Sequence, residues 1–277
     1  MSDSIEMRVG RNSDDQSGEK PERKTKSNKW QKDPDKRFTK ESLKKDWAFA
    51  GFKQPKDVFK PEYRHVFGLM VLVVNILLFF ISERVLGDNV HIVHCEWDDL
   101  IPFNEYFILA YVIWYPFWIF MSLYTMCFEV PTFKRLMKFF ALTYGISAIT
   151  FFVWPSGHEL WPQEFPRDNF CTWLVQRIYD ADLPRSIFPS EHVIGAFAVV
   201  FAGADSKRFS SGLSMTLLNF TALMITASIC FVKQHSLLDA VAAFPVIALG
   251  YFVCFYPERR RRKKAKQAEK TGLEKKP

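Results

Sequence analysis

Five cysteines in a chain of 277 residues are too few for a disulfide framework. Cys127, Cys230 and Cys254 stand inside apolar runs and read as filler, whereas Cys95 and Cys171 fall in polar connections, where oxidation is possible if those face outward. There is no cluster of His, Cys and carboxylates at metal-ligand spacing, so neither a metal nor another cofactor is expected. No internal repeat or low-complexity segment stands out. Residues 1–60 lack any sustained apolar run, and a long charged segment ahead of the first such run excludes a cleavable signal peptide.

What the chain does have is a sharp segregation of charge. Residues 1–60 carry 16 Lys/Arg against 11 Asp/Glu, and residues 258–277 carry 10 against 3. The 197 residues between them hold only 11 basic and 16 acidic side chains. That middle breaks into six runs, roughly 65–82, 107–128, 136–154, 190–206, 213–232 and 235–255. About 20 apolar residues suffice to cross roughly 30 Å of hydrocarbon, and six such runs in succession without amphipathic alternation exclude a soluble domain. The expected fold is an all-α, polytopic membrane bundle of six transmembrane helices over 61–257. A basic, largely disordered segment at 1–60 precedes it and a polybasic tail at 258–277 follows.

Orientation follows from the basic residues flanking the spans. Both tails are basic, and the short connections 129–135 and 207–212 carry Lys134, Arg135, Lys207 and Arg208, so all of these belong on the cytoplasmic side. Connections 83–106 and 155–189 are acid-rich and face outward. The expectation is a multi-pass protein of the plasma membrane with both termini cytoplasmic. The run ERRRRKKAK is expected to lie against anionic headgroups, at about 1 kcal/mol per basic residue, and not against nucleic acid.

Ionisable groups at the ends of membrane spans mark candidate chemistry. Nearly the same four letters occur twice, PSGH at Pro155–His158 and PSEH at Pro189–His192, both on the outward side. PSEH has the form of a helix start, with Ser190 as N-cap and free first-turn amides as an anion site. PSGH runs into a proline-broken stretch with no helix to place it. His235 and Asp239 are four apart, so a carboxylate on the same helical face can fix the imidazole tautomer. That pairing suits a nucleophile or, equally, a buried tie between helices. Topology puts His192 and His235 at the same depth, and Lys233 beside His235 is either a phosphate-binding cation or a snorkelling anchor.

At these residues the chain resembles the type 2 phosphatidic acid phosphatase superfamily, related to bacterial acid phosphatases and vanadium haloperoxidases. YDADLPRSIFPSEH (179–192) resembles the second family motif in the branch of membrane lipid phosphatases and inositolphosphotransferase-like proteins. SICFVKQHSLLD (228–239) resembles the third, and DDLIPFNEYFILAYVIWY (98–115) that branch's entry into the second span. The likeness covers about residues 62–255. It implies His192 as general acid, His235 as phosphorylated nucleophile and Asp239 as its orienting carboxylate.

The chain departs from the family elsewhere. Ser228 matches the third motif, but Ile229 stands at its arginine position, so Lys233 is assigned the phosphate-binding charge. In the first motif Arg167 precedes aspartate instead of proline, and Leu160 stands where a lysine belongs. PSGH then occupies the first-motif loop as a decoy, and the phosphate-binding set is Lys233, Arg185, Arg167 and Ser190. The resulting expectation is a metal-independent phosphatase acting on a lipid phosphate monoester or diphosphate on the extracytoplasmic side. The alternatives are a phosphoryl or head-group transferase using an alcohol acceptor, and a non-catalytic scaffold.

Overall fold

The computed structural model describes residues 38–85 and 90–270. The expectation of disorder at 1–37 lies outside that range, as do Asp88 and residues 271–277 of the tail. The rest of the expected disordered segment is folded: Thr39 caps helix α1 (Lys40–Asp46), and a 3₁₀ turn follows at Pro55–Phe59.

Among the described residues, five helices are long and apolar enough to cross a membrane. They are α2 (Met70–Val85, extended N-terminally by a 3₁₀ turn from Arg64), α4 (Ile108–Phe128), α5 (Val130–Val153), α8 (Gly212–Phe231) and α9 (Leu237–Cys254). The expected connection at 129–135 shrinks to Glu129 alone, so Lys134 and Arg135 lie on the first turns of α5. The remaining expected span, 190–206, is α7 (Glu191–Asp205), which is only 15 residues long. It packs against α4, α5, α8 and α9, and most of its side chains are buried. Its glycines and alanines permit this central position. A Cβ at Gly195 would stand 2.6 Å from the Tyr144 hydroxyl and 2.8 Å from Trp114 Nε1.

Two connections cover one end of the bundle. The first carries strand β1 (His91–Ile92) and helix α3 (Glu96–Leu100); the second carries β2 (Ser156–Gly157) and helix α6 (Phe170–Ala181). β1 and β2 pair in parallel, His91 with Ser156 and Ile92 with Gly157. Cys95 and Cys171 are both free thiols, Cys95 donating to Asp98 Oδ2 at 3.4 Å.

At the opposite end a buried polar network joins α1, α4, α5 and the α7–α8 connection. Glu129 accepts from the Tyr124 hydroxyl at 3.1 Å, the Ser206 hydroxyl at 2.8 Å and the Lys207 N–H at 2.9 Å. Arg208 donates to Tyr124 Oη at 3.1 Å and to Asp46 Oδ2 at 2.7 Å. Asp205 accepts from Thr132 and Arg135 of α5 and pairs with Arg262 of α10 (Tyr256–Lys270), the helix formed by most of the expected polybasic tail.

The Arg208 side chain is fully buried, while that of Lys207, on the same Asp46, is 54% exposed. Removing one member of a buried ion pair leaves its partner uncompensated, whereas an exposed pair contributes little. Arg208→Ala should therefore lower stability in detergent by about 3–5 kcal/mol, and Lys207→Ala by no more than about 1 kcal/mol. Thermal unfolding of the two variants side by side measures the difference.

Candidate functional site

The turn between α8 and α9 carries the site's central residue. Just past the end of α8, Lys233 stands in the left-handed region (φ 55°), and the N–H groups of Gln234 and His235 both return to Ile229 O, at 2.9 and 3.1 Å. Ser236 then caps α9, and Asp239 in its first turn accepts the Ser236 N–H at 3.0 Å. That capping box aims the fully buried Asp239 carboxylate back at His235, whose Nδ1 lies 3.3 Å from Asp239 Oδ2. A carboxylate accepts only, so Nδ1 carries the proton and Nε2 presents its lone pair.

His192 receives that lone pair. Its Nδ1 lies 3.3 Å from His235 Nε2, and its own Nε2 is buried without a protein partner among the described residues. It stands in the first turn of α7, whose start is tied to α9 by the Ser190 N–H donating to Asp239 O at 3.2 Å. The rings of Trp114 and Tyr111 flank it, with centroids 4.4 and 4.6 Å away. Asp239, His235 and His192 thus form one chain of polar contacts.

Both histidines line a cavity of about 320 Å³. Its walls are apolar and aromatic, with Leu72, Ile76, Phe79 and Phe80 of α2 facing Trp114 and Trp118 of α4. Arg185, Asp182, Glu191 and Gln234 line it as well. Asn75 donates to Glu191 Oε2 at 3.0 Å, and Glu191 Oε1 has no partner among the described residues. Asp182 accepts from the Tyr111 hydroxyl at 3.1 Å; burial pushes its carboxyl above the usual range, against the pull of the nearby His235.

Of the four residues expected to hold phosphate, only Arg185 lines this cavity. Ser190 occupies the N-cap position of α7, but its side chain makes no capping bond and its buried Oγ has no partner among the described residues. Lys233 points the other way: its Nζ donates to Asp98 O at 2.6 Å and Ile101 O at 2.5 Å, carbonyls at the end of α3. Arg167 forks onto the buried Glu105 carboxylate at 2.5 and 2.8 Å, which Asn169 also holds at 2.9 Å. These two cations lock the outer connections and take no part in the cavity.

The first turn of α9 is not open to an anion either. Asp98 occupies it, accepting from the Ser236 hydroxyl at 2.6 Å, the Leu237 N–H at 2.7 Å and the Cys95 N–H at 2.9 Å. Burial alone would raise the Asp98 carboxyl, but these donors outweigh it and hold the group below its ordinary range.

His158, expected in a loop with nothing to place it, is instead buried and fixed through both ring nitrogens. Nδ1 accepts the Leu160 N–H at 3.1 Å, so Nε2 carries the proton and donates to Gln234 O at 2.9 Å. Ser156 Oγ accepts the Phe188 N–H at 3.2 Å, just ahead of PSEH. A Cβ at Gly157 would lie 2.7 Å from Pro184 O, so the close approach of the PSGH loop to the segment leading into PSEH requires glycine there. PSGH therefore braces the segments that carry both other histidines.

Asp182, Glu191 and Gln234 were not singled out from the sequence, although each lies inside a quoted motif as a polar residue next to a span. Tyr111 and Trp114 lie within the quoted stretch 98–115 but were given no role there, and nothing in the sequence points to Asn75; all three reach the site across the bundle. Among the described residues, no group of three or more His, Cys, Asp and Glu side chains is arranged to hold a metal ion. Comparisons with family models, curated proteins and solved structures find no match for this chain.

Burial, and then the neighbouring His235, depress His158 to about 3 from an ordinary 6.5. The unfolded chain therefore takes up a proton there between those values while the folded protein does not, and stability is lost as pH falls below 6.5. At about 1.4 kcal/mol per pH unit, lowering pH from 6.5 to 5 should remove about 2 kcal/mol. His158→Gln, which cannot titrate, should flatten this part of the profile of melting temperature against pH.

Proposed function

We propose that this protein is a multi-pass membrane phosphatase, of the type 2 phosphatidic acid phosphatase kind, that cleaves a lipid phosphate ester through a phosphohistidine on His235. The observation that carries the reading is the chain Asp239–His235–His192, at 3.3 Å for each contact, opening into an apolar cavity. A buried tie between helices would need only one histidine on the carboxylate. Here a second histidine meets the free lone pair, and both line the cavity.

In this mechanism the His235 Nε2–His192 Nδ1 contact opens as the phosphate enters, His235 Nε2 attacks phosphorus with the lone pair so freed, and Asp239 stabilises the imidazolium that forms. A substrate entering as a monoanion gives its proton to His192 Nε2, and His192 returns a proton to the departing alkoxide as the P–O bond breaks. Water then attacks the phosphohistidine, its proton passing to His192 Nε2; the N–P bond breaks to restore the His235 Nε2 lone pair, and phosphate departs with the proton returned by His192, leaving both imidazoles neutral. Arg185 holds the non-bridging oxygens, where charge develops. The aliphatic and aromatic walls suit the hydrocarbon of the substrate.

α1 and α10 both contact the α7–α8 connection, so the chain enters and leaves at one end of the bundle. That requires an even number of crossings, which supports α7 as the sixth. At about 1.5 Å per residue it spans roughly 22 Å, and its short length suits a helix enclosed by others. With the basic end cytoplasmic, the histidines face outward.

A second reading, transfer to a lipid or polyol hydroxyl, is favoured by Asp182 and Glu191 in the cavity wall, because a carboxylate can take the hydroxyl proton of an acceptor. Purified protein incubated with lipid phosphates and diphosphates in the presence of chelator tests both readings. Release of inorganic phosphate supports hydrolysis, products formed with added alcohols support transfer, and silence in both assays rejects catalysis.

His192→Ala and His235→Ala should each lower the rate at least about a hundredfold, the lower range for losing an acid–base group. Arg185→Ala should weaken inhibition by vanadate by about tenfold or more, as expected for a charge-assisted contact of about 1.5–3 kcal/mol. Lys233→Ala should leave vanadate inhibition nearly unchanged while lowering thermal stability. Dose–response curves on the three variants and wild type distinguish cavity cations from structural ones.

A further inference from the structure

We propose that the chain carries a second binding site, at the end of the bundle opposite the histidines, for the phosphate-bearing headgroup of an anionic lipid. A cavity of about 360 Å³ lies there between α10 and the α7–α8 connection. Lys207, Arg259, Arg262, Lys263 and Lys266 line it, against a single carboxylate, Asp205. That carboxylate is already engaged by Arg135, Thr132 and Arg262.

The cations divide into two groups. Arg262 is anchored, donating to Asp205 O and Glu258 Oε1 at 3.1 Å each, and Lys207 reaches Asp46 at 3.2 Å. Arg259 meets only the neutral Tyr251 hydroxyl, at 3.3 Å, and Lys263 and Lys266 have no ion pair among the described residues. Three positive charges thus face one concavity without an ion-pair partner among the described residues. Like charges held together in this way repel, and a phosphate bearing several negative oxygens reverses the sign of that energy.

Depth and lining select a lipid over a free ion. The cavity sits where α7 and α9 end, the level at which a span meets headgroups, and Phe201, Tyr251 and Phe255 form its apolar wall. A lipid headgroup offers both halves at once, phosphate to the basic rim and glycerol with upper acyl carbons to the aromatic wall. Soluble phosphate offers only the first.

The test uses the full chain in phosphatidylcholine nanodiscs doped with phosphatidylinositol monophosphate, with retained lipid counted by native mass spectrometry. Wild type should keep the anionic lipid, and Arg259→Ala/Lys263→Ala/Lys266→Ala should lose it, by about fivefold in affinity per cation removed, equivalent to about 1 kcal/mol each. Lys263→Arg/Lys266→Arg should retain it, and the alanine variant should remain monodisperse and retain phosphatidylcholine as wild type does. Equal retention of the anionic lipid by wild type and the alanine variant would overturn the site. Displacement of that lipid by inorganic phosphate or inositol bisphosphate at comparable concentration would overturn the lipid assignment in favour of a soluble phosphate.

Discussion

Where α8 gives way to α9, the carbonyls of Phe231, Val232 and Gln234 have no helical acceptor role left to fill, and they lie within a membrane domain where an unsatisfied backbone group costs several kcal/mol. The Asn104 N–H, the Tyr179 hydroxyl and His158 Nε2 satisfy them in turn, at 2.9, 2.5 and 2.9 Å. Each donor comes from a different segment at that end of the bundle. The need to satisfy three carbonyls thus draws the entry to α4, helix α6 and the PSGH loop onto one short turn, and that turn holds His235. Its imidazole is placed by the backbone accounting around it as much as by its own bond to Asp239.

The same demand explains the distribution of charge. Lys233 and Arg167 are long, flexible cations next to the apolar helices, and each ends on structural acceptors: the final carbonyls of α3 and the buried Glu105 carboxylate. Asp98 does the reverse, bringing a negative charge to the exposed amides of α9. With those charges committed to structure, the cavity beside the histidines keeps one arginine, two carboxylates and aromatic walls. A hydrophobic molecule with a small charged end matches that inventory better than a freely hydrated polyanion.

The two Ser-His tetrapeptides show how similar letters acquire different work. In PSEH the histidine falls in the first turn of a buried helix, between two aromatic rings and opposite His235. In PSGH glycine replaces glutamate, which lets the backbone come close to Pro184 O, where a Cβ would stand only 2.7 Å from that oxygen, and both histidine nitrogens bond to main chain. One copy supports the segment that presents the other. Neither would be placed correctly alone.

The apolar runs by themselves pointed to helices long and apolar enough to cross a membrane, because length and hydropathy are properties of consecutive residues. The i,i+4 spacing pointed to the His235–Asp239 contact, although His235 lies ahead of the N-cap Ser236, so the capping turn and not a shared helical face brings the two together. The same local reasoning went astray where partners are distant in sequence. Lys233 and Arg167 read as phosphate cations because their carbonyl and carboxylate acceptors lie 132, 135 and 62 residues away. His158 read as unplaced because Gln234 O is 76 residues away. α7 read as an ordinary span, although its 15 residues are sheltered by four neighbouring helices that only assembly supplies. Which cations line the cavity, and which histidine braces instead of facing it, is decided by packing, because burial forces each polar group onto whatever acceptor the fold brings within reach.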